Sequence, residues 1–382
     1  MKKIGLVTLH SNNFGSILQC YATKNYIEKL GYECVVLETK YEKPPFLGYL
    51  REKLLTVYKC IRYKDFLKNK INMSAAVKKE SLYLDADTRV AMEKFVLDNY
   101  SPVFKSWDEL NDISRENDYL AFVAGSDQIW NLARGLDRFS FLDFAPKQKR
   151  IVFAVSCGID FLPSFNKKDF ISKLMQFDRI SVRESSAKRI IDNISSVEVE
   201  VVSDPTIMKS SDEWTEFAED AISLNCEDYV FVHFLNEPSR LALDAINRIA
   251  STLNSEIICF GYKYEAFSDL HKYRFVNGGP KEYVRYIQDS IHVCTDSFHT
   301  TLFSINLNKD FYVFDRQYLH KYPQTTRISD LLEKYNISDR FIRNNDDTPK
   351  SINWAVINKK LQQERELTRA YLGYEIEKRE HE

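Results

Sequence analysis

The segment TDSFHTTLFS, residues 295–304, gathers an acid, hydroxyl groups and a histidine within a few positions. Asp296, Ser297 and His299 directly follow the apolar run 291–294 and precede an amphipathic segment. Because imidazole ordinarily titrates near neutral pH, His299 is the best candidate in the chain for moving protons during catalysis. Structural alternatives are that His299 caps or hydrogen-bonds the following helix, and that Asp296 caps this helix or orients His299.

A second candidate segment is HSNNFGS, residues 10–16, which leads into the first long helical pattern. Asn13, Gly15 and Ser16 stand where the free backbone N–H groups and the dipole of a helix attract anions, and a glycine permits close approach of the backbone. We therefore predict a phosphate or carboxylate site at this helix start. The alternative is an ordinary strand-to-helix turn with Asn13 as the N-cap.

The strands and helices that position these segments are indicated by short apolar runs, each followed by a helical pattern. KIGLVTL, residues 3–9, predicts a buried strand, a helix ends at Gly31, and CVVLET, residues 34–39, begins the next strand, so the chain opens with a β-α-β unit. Similar runs predict further strands at residues 119–125, 150–156, 179–183, 229–235, 256–262, 291–297 and 310–315. The sequence therefore predicts an α/β protein with two Rossmann-like domains, each built on a parallel sheet.

The Asp-Pro turn in VVSDPTI, residues 201–207, and the polar segment after it indicate a domain boundary. We predict an N-terminal Rossmann-like domain at residues 1–215, with a helical insertion at about residues 43–118. A C-terminal Rossmann-like domain follows at residues 216–345. The tail, residues 346–382, has apolar side chains in helical register and should dock as a helix across both domains.

Ligands of open α/β sheets bind at the carboxyl ends of the strands. Residues 295–299 lie at such an end, and so do HSNNFGS, GSDQIWN (residues 125–131) and RES (residues 183–185). We therefore expect four polar loops to converge on one cleft between the domains.

Composition narrows the class of protein. The 53 Lys and Arg and 55 Asp and Glu residues leave a formal charge of −2, which argues against nucleic acid as a partner. No run of about 18 apolar residues could span a membrane, and the start MKKIGLVTLHSNN has no small-residue cleavage site. We expect a cytoplasmic protein with no transmembrane segment, for which peripheral membrane association stays open. Seven scattered cysteines without a C-x-x-C pair predict reduced thiols and no zinc or other metal site.

Seven segments follow one another in an order that resembles the polysaccharide pyruvyl transferase family: NNFGSILQCYA, GSDQIWN, SVRESS, DPT, GPKEYVRYIQDS, TDSFHTTLFSI and TTRISDLL. The resemblance covers most of the chain, residues 3–372. It implies a fold like the two-domain GT-B glycosyltransferases, with phosphoenolpyruvate as the donor substrate and no other cofactor. The implied acceptor is a hydroxyl pair on an exopolysaccharide or its precursor, lipid-linked or free. The product would be a pyruvate ketal, and His299 matches the motif histidine of the family.

The resemblance also assigns binding residues. Arg183 and Arg327 match arginines of the family motifs, and each could form a bidentate contact with carboxylate or phosphate oxygens. Alternatively, Arg183 pairs with Glu184 or Asp204, and Arg327 caps the second domain.

GSDQIWN is the most recognisable motif. Ser126, Asp127 and Gln128 can bind sugar hydroxyls, and Asp127 could act as a base on an acceptor hydroxyl. Trp130 could stack on a pyranose ring, although packing in the core is the more common role of a tryptophan.

One departure from the family pattern concerns the donor. The ketal-forming members carry an arginine two positions before the motif histidine, where this chain has Ser297, and Thr300 replaces a glycine. We keep Ser297 among the substrate-binding candidates. Arg183, Arg316 or Arg327 would have to take over the role of the missing cation, or the donor differs.

Three functions remain open on the sequence. The first is a pyruvyl transferase, the second is an enzyme of the same fold that uses a nucleotide sugar, and the third is a glycan-binding protein without catalysis. GYKYEAF, residues 261–267, could grip a nucleotide in the second case. His10 and His233, near strand ends, are further candidates for contact with a ligand.

Overall fold

The protein consists of two halves, each with a parallel β-sheet covered by helices, and a long C-terminal helix. The computed structural model describes residues 1–11, 13–40, 46–63, 66–67, 70–71, 82–133, 135–316 and 326–381 of the 382-residue chain. Within these ranges every pair of neighbouring strands is parallel. This is the arrangement that the alternation of apolar runs and helical patterns predicts.

The first half contains a five-stranded sheet of order β3-β2-β1-β4-β5 and a two-stranded sheet of β6 and β7. A bridge between Val155 and Val182 joins the two-stranded sheet to the end of β5. The elements are β1 (Lys3–Val7), α1 (Phe14–Lys29), β2 (Glu33–Thr39), α2 (Phe46–Arg62), α3 (Ala86–Asn99), β3 (Val103–Lys105), α4 (Trp107–Arg115), β4 (Tyr119–Gly125), β5 (Arg150–Phe153), α5 (Ser164–Leu174), β6 (Arg179–Val182), α6 (Ser185–Asp192), β7 (Glu198–Val201) and α7 (Ser211–Phe217).

The second half contains a six-stranded sheet of order β10-β9-β8-β11-β12-β13. Its elements are β8 (Tyr229–His233), α8 (Arg240–Leu253), β9 (Glu256–Phe260), β10 (Tyr273–Val276), α9 (Pro280–Asp289), β11 (His292–Thr295), α10 (Phe298–Asn306), β12 (Asp310–Phe314), α11 (Thr326–Lys334) and β13 (Phe341–Ile342). The C-terminal helix α12 (Trp354–His381) follows.

Every strand that an apolar run predicts is present, and the strands that the sequence did not reveal are β3, β7, β10 and β13. β3, β10 and β13 are edge strands, and β7 has a neighbour on one side only. β3, β7 and β10 carry exposed or charged side chains, so they lack the continuous apolar run that marks a strand buried on both faces. β13 is apolar and buried, but it is two residues long. β3 falls inside the predicted helical insertion, whose described parts are otherwise mostly helical.

The C-terminal helix binds to both halves, as predicted. Tyr371 donates its hydroxyl to the carbonyl of Val152 in the first half, at 3.1 Å. Arg365 donates from Nε to the carbonyl of Ile207 at 2.8 Å and from Nη2 to Oδ1 of Asn306, in the second half, at 3.1 Å. Because one buried guanidinium bonds to both halves, α12 fixes their relative positions.

The start of α1 inserts into the second half. Phe14 is buried, and its ring stacks on that of Tyr283 with centroids 4.7 Å apart and lies 5.1 Å from that of Phe260. Burial of one such side chain stabilises the packed state by about 1.5–3 kcal/mol. Phe14 therefore holds the loop after β1 against the sheet of the other half.

Two further expectations concern cysteines and membranes. All seven cysteines lie in the described chain and form no disulfide, and Cys60 and Cys226 are the two that are half-buried rather than buried. In the ranges given above, no helix combines the length and the apolar character that crossing a bilayer would require.

Candidate functional site

His299 lies at the N-terminal end of α10, directly after the buried strand β11. Ser297 is the N-cap of this helix, and its Oγ accepts a hydrogen bond from the backbone N–H of Thr300 at 3.4 Å. The imidazole packs onto the backbone of Gly15, since a Cβ atom at position 15 would lie 2.0 Å from Nδ1 of His299. Only glycine at position 15 permits this contact between the two halves.

Asp204 joins His299 to Arg183. The Oδ2 atom of Asp204 accepts a hydrogen bond from Nη1 of Arg183 at 2.6 Å and lies 3.4 Å from Nε2 of His299. Its Oδ1 atom accepts hydrogen bonds from the backbone N–H of Thr206 at 3.0 Å and from the hydroxyl of Thr206 at 2.8 Å. These contacts hold the carboxylate in one orientation between an imidazole and a guanidinium.

Arg183 also contacts a second carboxylate of the predicted site. Its Nη2 atom lies 3.4 Å from Oδ1 of Asp127, and the hydroxyl of Ser16 donates to Oδ2 of Asp127 at 2.5 Å. The Nε atom of Arg183 lies 3.6 Å from Oε2 of Glu184. The pairing of Arg183 with Asp204, one of the two alternatives considered for this residue, is therefore present, and its Nη atoms both face carboxylates.

Two arginines contact the ring of Phe298, the residue before His299. The guanidinium carbon of Arg183 lies 4.3 Å from the ring centroid, and that of Arg327 lies 5.7 Å from it. Both arginines are buried. Cation–π contacts of this kind keep the two positive charges near His299.

The charges in this cluster shift the pKa values of its carboxylates. Burial alone would raise the pKa of Asp204 and of Asp127, but Arg183 and His299 outweigh it and hold both pKa values below the ordinary range. Glu184 behaves in the opposite way, because burial raises its pKa and the neighbouring Arg183 offsets only part of that effect. The site therefore contains two firmly ionised carboxylates and one that is more easily protonated.

Four polar atoms of the cluster lack hydrogen-bond partners. Oγ of Ser126, Nε of Arg183, Oε2 of Glu184 and Nε2 of His299 are buried and form no hydrogen bond with any residue that the structure describes. Buried polar atoms rarely lack hydrogen-bond partners, because each unpaired atom costs about 1–3 kcal/mol of stability. Nε2 of His299 faces Asp204 at 3.4 Å and Nε of Arg183 faces Oε2 of Glu184 at 3.6 Å, so Oγ of Ser126 is the one of these four atoms without an ion-pair contact among the described residues.

The segment predicted as an anion site, at the start of α1, forms an ordinary helix cap. Oδ1 of Asn13 accepts hydrogen bonds from the backbone N–H groups of Gly15 at 2.9 Å and Ser16 at 3.3 Å. The structure therefore has the alternative, with Asn13 as the N-cap, and those two N–H groups already have a partner. The close approach that Gly15 permits is to His299 rather than to an anion.

Neither role predicted for Asp296 is present. Its Oδ1 accepts from the backbone N–H of Leu235 at 2.7 Å and its Oδ2 from that of Asn236 at 3.1 Å. Arg316 donates to the backbone carbonyl of Asp296 at 3.1 Å. Asp296 thus fixes the loop after β8, and the helix is capped by Ser297 instead, so the prediction for Asp296 was wrong.

Gln128 and Trp130 of GSDQIWN contact residues outside the cluster. Oε1 of Gln128 accepts a hydrogen bond from Nδ2 of Asn131 at 2.7 Å, and Gln128 is partly exposed. Trp130 is fully buried, stacks on Phe141 with centroids 4.4 Å apart and donates from Nε1 to the carbonyl of Ser140 at 2.9 Å. Trp130 is therefore a core residue and does not offer a face to a sugar.

The two other candidate histidines do not join the cluster among the contacts of the described chain. Nε2 of His10 lies 3.2 Å from Oε2 of Glu38. His233 is buried, and its Nδ1 lies 3.2 Å from the carbonyl oxygen of Phe260. Both make structural contacts near strand ends.

Burial lowers the pKa of His233 to about 4 from an ordinary value of 6.5. The unfolded chain therefore binds a proton that the folded protein excludes, so the stability present above pH 6.5 is lost as the pH falls towards 4. From pH 7 to pH 5, we expect His233 to account for a loss of about 2 kcal/mol in the free energy of unfolding. Urea unfolding at both pH values should show a smaller loss in His233→Gln, and an equal loss in both proteins would contradict the prediction.

The aromatic residues of GYKYEAF do not form a nucleotide site. Tyr262, Tyr264 and Phe267 are buried. The rings of Tyr262 and Tyr264 stack at 6.5 Å, and Tyr264 meets Phe267 edge-on at 5.5 Å. These side chains belong to the core of the second half.

The functional contact that sequence reasoning missed is the one between Asp204 and His299. Asp204 entered the prediction only as an alternative partner of Arg183. The available signal was its place in DPT, after a strand that the sequence did not reveal, at the same sheet edge as the other polar loops. Among the described residues, no group of three or more His, Cys, Asp or Glu side chains is placed to hold a metal ion.

The convergence of polar loops is confirmed. The first turn of α1 supplies Ser16, and the segments after β4, β6 and β7 supply Asp127, Arg183 and Asp204. His299 follows β11 of the other half. Arg327 comes from α11. All of these side chains lie at the carboxyl ends of strands or at helix starts, where open α/β sheets bind ligands.

A family model described as polysaccharide pyruvyl transferase matches residues 13–318. No curated protein matches the chain in sequence. The match to the family model includes every residue of the cluster except Arg327.

Solved structures of low sequence identity share the fold. UDP-GlcNAc 2-epimerase from Neisseria meningitidis, bound to UDP-GlcNAc, is 11% identical with a TM-score of 0.50, and the match covers 99% of this chain and 94% of that chain. A protein assigned as UDP-N-acetylglucosamine 2-epimerase from Listeria monocytogenes is 9% identical with a TM-score of 0.50, covering 97% and 90% of the two chains. At these identities the likeness shows the fold alone, which is GT-B-like with two Rossmann-like domains.

Proposed function

The chain belongs to the polysaccharide pyruvyl transferase family, and from this premise we propose that it transfers a pyruvyl group from phosphoenolpyruvate to hydroxyl groups of a saccharide. The reaction takes place at the cluster of Asp127, Arg183, Asp204 and His299. We also propose that the acceptor is a precursor of a cell-surface polysaccharide and that the reaction occurs in the cytoplasm, where phosphoenolpyruvate is available.

The observation that carries this proposal is the environment of His299. The imidazole comes from the second half, rests on Gly15 of the first half and faces Asp204 at 3.4 Å. A buried carboxylate beside an imidazole stabilises the protonated ring that forms when histidine accepts a proton. His299 is thus equipped to take a proton from one group and to return it to another.

Ketal formation requires two such proton movements. One acceptor hydroxyl adds through oxygen to C2 of phosphoenolpyruvate and loses its proton, while C3 gains a proton and becomes a methyl group. The second hydroxyl then replaces phosphate at C2, and its proton leaves with the phosphate. In this proposal His299 accepts the hydroxyl protons and donates to C3 and to the leaving phosphate, so atoms and charges balance.

The donor also carries a phosphate and a carboxylate, which must be bound. We assign this role to Arg327 and to the hydroxyl of Ser126, which is buried and has no hydrogen-bond partner in the described part of the chain. Arg183 has both Nη atoms on carboxylates and is better placed to hold Asp127 and Asp204 in position. Ser297 cannot replace an arginine as a cation, and its hydroxyl caps α10.

The proposal is tested by incubating the protein with phosphoenolpyruvate, with and without candidate oligosaccharides, and measuring phosphate release. We expect release that depends on the acceptor, together with a product whose mass equals acceptor plus pyruvic acid minus water. Thermal stabilisation by nucleotide sugars without phosphate release would overturn the proposal, since a ligand that binds only the folded state raises its stability. Binding of a glycan with no turnover would overturn it equally.

A further inference from the structure

Helix α2 exposes a continuous apolar stripe, which has no role in the proposed reaction. Phe46, Leu50, Leu54, Val57 and Ile61 are spaced by three or four residues and lie within an arc of about 80° on the helix surface. Their exposed fractions include 78% for Phe46, 62% for Leu54 and 80% for Ile61. Exposed apolar surface of this extent on a helix marks a site of association.

The opposite side of α2 attaches the helix to the protein. Nζ of Lys59 lies 2.9 Å from Oδ2 of Asp169 on α5. Just beyond the helix, the rings of Tyr63 and Phe66 meet that of Phe165 edge-on, at 6.4 and 5.2 Å. The apolar stripe therefore points away from the protein.

Basic side chains border the stripe. Lys53 lies next to one edge of the arc, Arg51 and Arg62 lie beyond the other edge, and all three are exposed. The sequence of α2 contains four Lys and Arg residues and one Glu. An apolar stripe with cations along its edges is typical of helices that lie in the interface of a membrane with anionic lipids.

We propose that α2 docks the protein on the surface of an anionic lipid bilayer. The apolar stripe inserts between the headgroups and the acyl chains, and Arg51 and Arg62 contact lipid phosphates. The exposed positive charge of Arg51 and Arg62 beside the stripe favours an anionic bilayer surface over an apolar groove of a protein. Docking goes beyond the proposed reaction and does not depend on it.

The test is flotation of the full chain with vesicles of phosphatidylcholine, alone and mixed with phosphatidylglycerol. We expect binding to the mixed vesicles, and a loss of roughly tenfold or more in the partition coefficient for the double variant L54E/I61E. The matched control is V90E/L97E, which changes two apolar residues on α3 with the same spacing of seven and exposed fractions of 63% each. The control should bind as the wild type does.

The charged edges are tested separately. R51Q/R62Q should reduce the preference for mixed vesicles and leave phosphate release with a soluble acceptor unchanged, so a failure of docking is distinct from a failure of the proposed reaction. Equal flotation of L54E/I61E and the wild type would overturn the proposal. So would a wild-type dimer in solution that L54E/I61E converts to a monomer while neither protein binds vesicles, because the stripe would then be covered by a second copy.

Discussion

His299→Gln should reduce acceptor-dependent phosphate release from phosphoenolpyruvate by roughly 10²- to 10⁴-fold, the usual contribution of a general acid–base group. Glutamine has a similar volume and can keep the polar contact with Asp204, but it cannot accept and return a proton. The substitution therefore removes the proposed chemistry and leaves the packing on Gly15 largely in place. Initial rates at saturating donor and acceptor measure the effect on turnover.

The control for this prediction is His10→Gln. His10 is also buried, and its Nε2 also faces a carboxylate, Glu38 at 3.2 Å, but it lies outside the cluster of His299. We expect this variant to retain turnover close to that of the wild type. Equal rates for both variants would contradict the assignment of His299.

Asp204→Ala should lower the free energy of unfolding by about 3 kcal/mol, because removal of one partner leaves a buried charge without its best counterion. Arg183 loses the shortest of its contacts with carboxylates, at 2.6 Å, and retains Asp127 at 3.4 Å and Glu184 at 3.6 Å. The remaining carboxylates limit the loss to the lower end of the range for buried pairs. Urea unfolding at neutral pH measures the difference.

The same variant has a predicted pH signature. The pKa of Asp204 lies below its ordinary value of 3.8, since Arg183 and His299 outweigh the effect of burial. Its contribution is therefore fully present above pH 3.8 and is lost as the pH falls through the lower folded pKa. Below pH 3.8 the wild type should lose stability more steeply than Asp204→Ala.

Asp169→Ala is the control for Asp204→Ala. Asp169 pairs with Lys59 at 2.9 Å, but its side chain is mostly exposed. An exposed pair contributes about 0–1 kcal/mol, so this variant should be close to the wild type in stability. If Asp204→Ala proved no less stable than Asp169→Ala, the buried network would not have the strength inferred from its geometry.

Local sequence patterns predicted much of the fold because the central strands are buried on both faces. Runs such as KIGLVTL and YVFVHFL are mostly apolar, and both form strands. Edge strands such as Glu198–Val201 alternate charged and apolar residues and pair on one side only. A short pattern of that kind does not distinguish a strand from a loop.

The sequence predicted the location of the site better than it predicted the contacts within the site. The carboxyl ends of strands follow from the topology, so Asp127, Arg183 and His299 could be grouped in advance. Asp296 could not be assigned, because its partners are the backbone N–H groups of Leu235 and Asn236, about 60 residues earlier in the chain. Contacts between distant loops depend on the final packing, whereas the local cap formed by Asn13 follows from neighbouring residues.

We propose that the imidazole of His299, in the second half, transfers protons while it packs against the backbone of Gly15 in the first half. Gly15→Ala would place a Cβ atom 2.0 Å from Nδ1 of His299, so the ring must move. Alanine is also a better helix former than glycine, by about 0.5–1 kcal/mol, so α1 itself should not be weakened. The matched control is Gly135→Ala, where a Cβ atom would meet nothing within 4 Å.

The most direct measurement is acceptor-dependent phosphate release from phosphoenolpyruvate by Gly15→Ala and Gly135→Ala. Because a misplacement of about 1 Å can cost about 100-fold in rate, we predict a loss of roughly tenfold or more for Gly15→Ala and wild-type turnover for Gly135→Ala. Wild-type turnover in both variants would contradict the claim that His299 transfers protons while packed against Gly15.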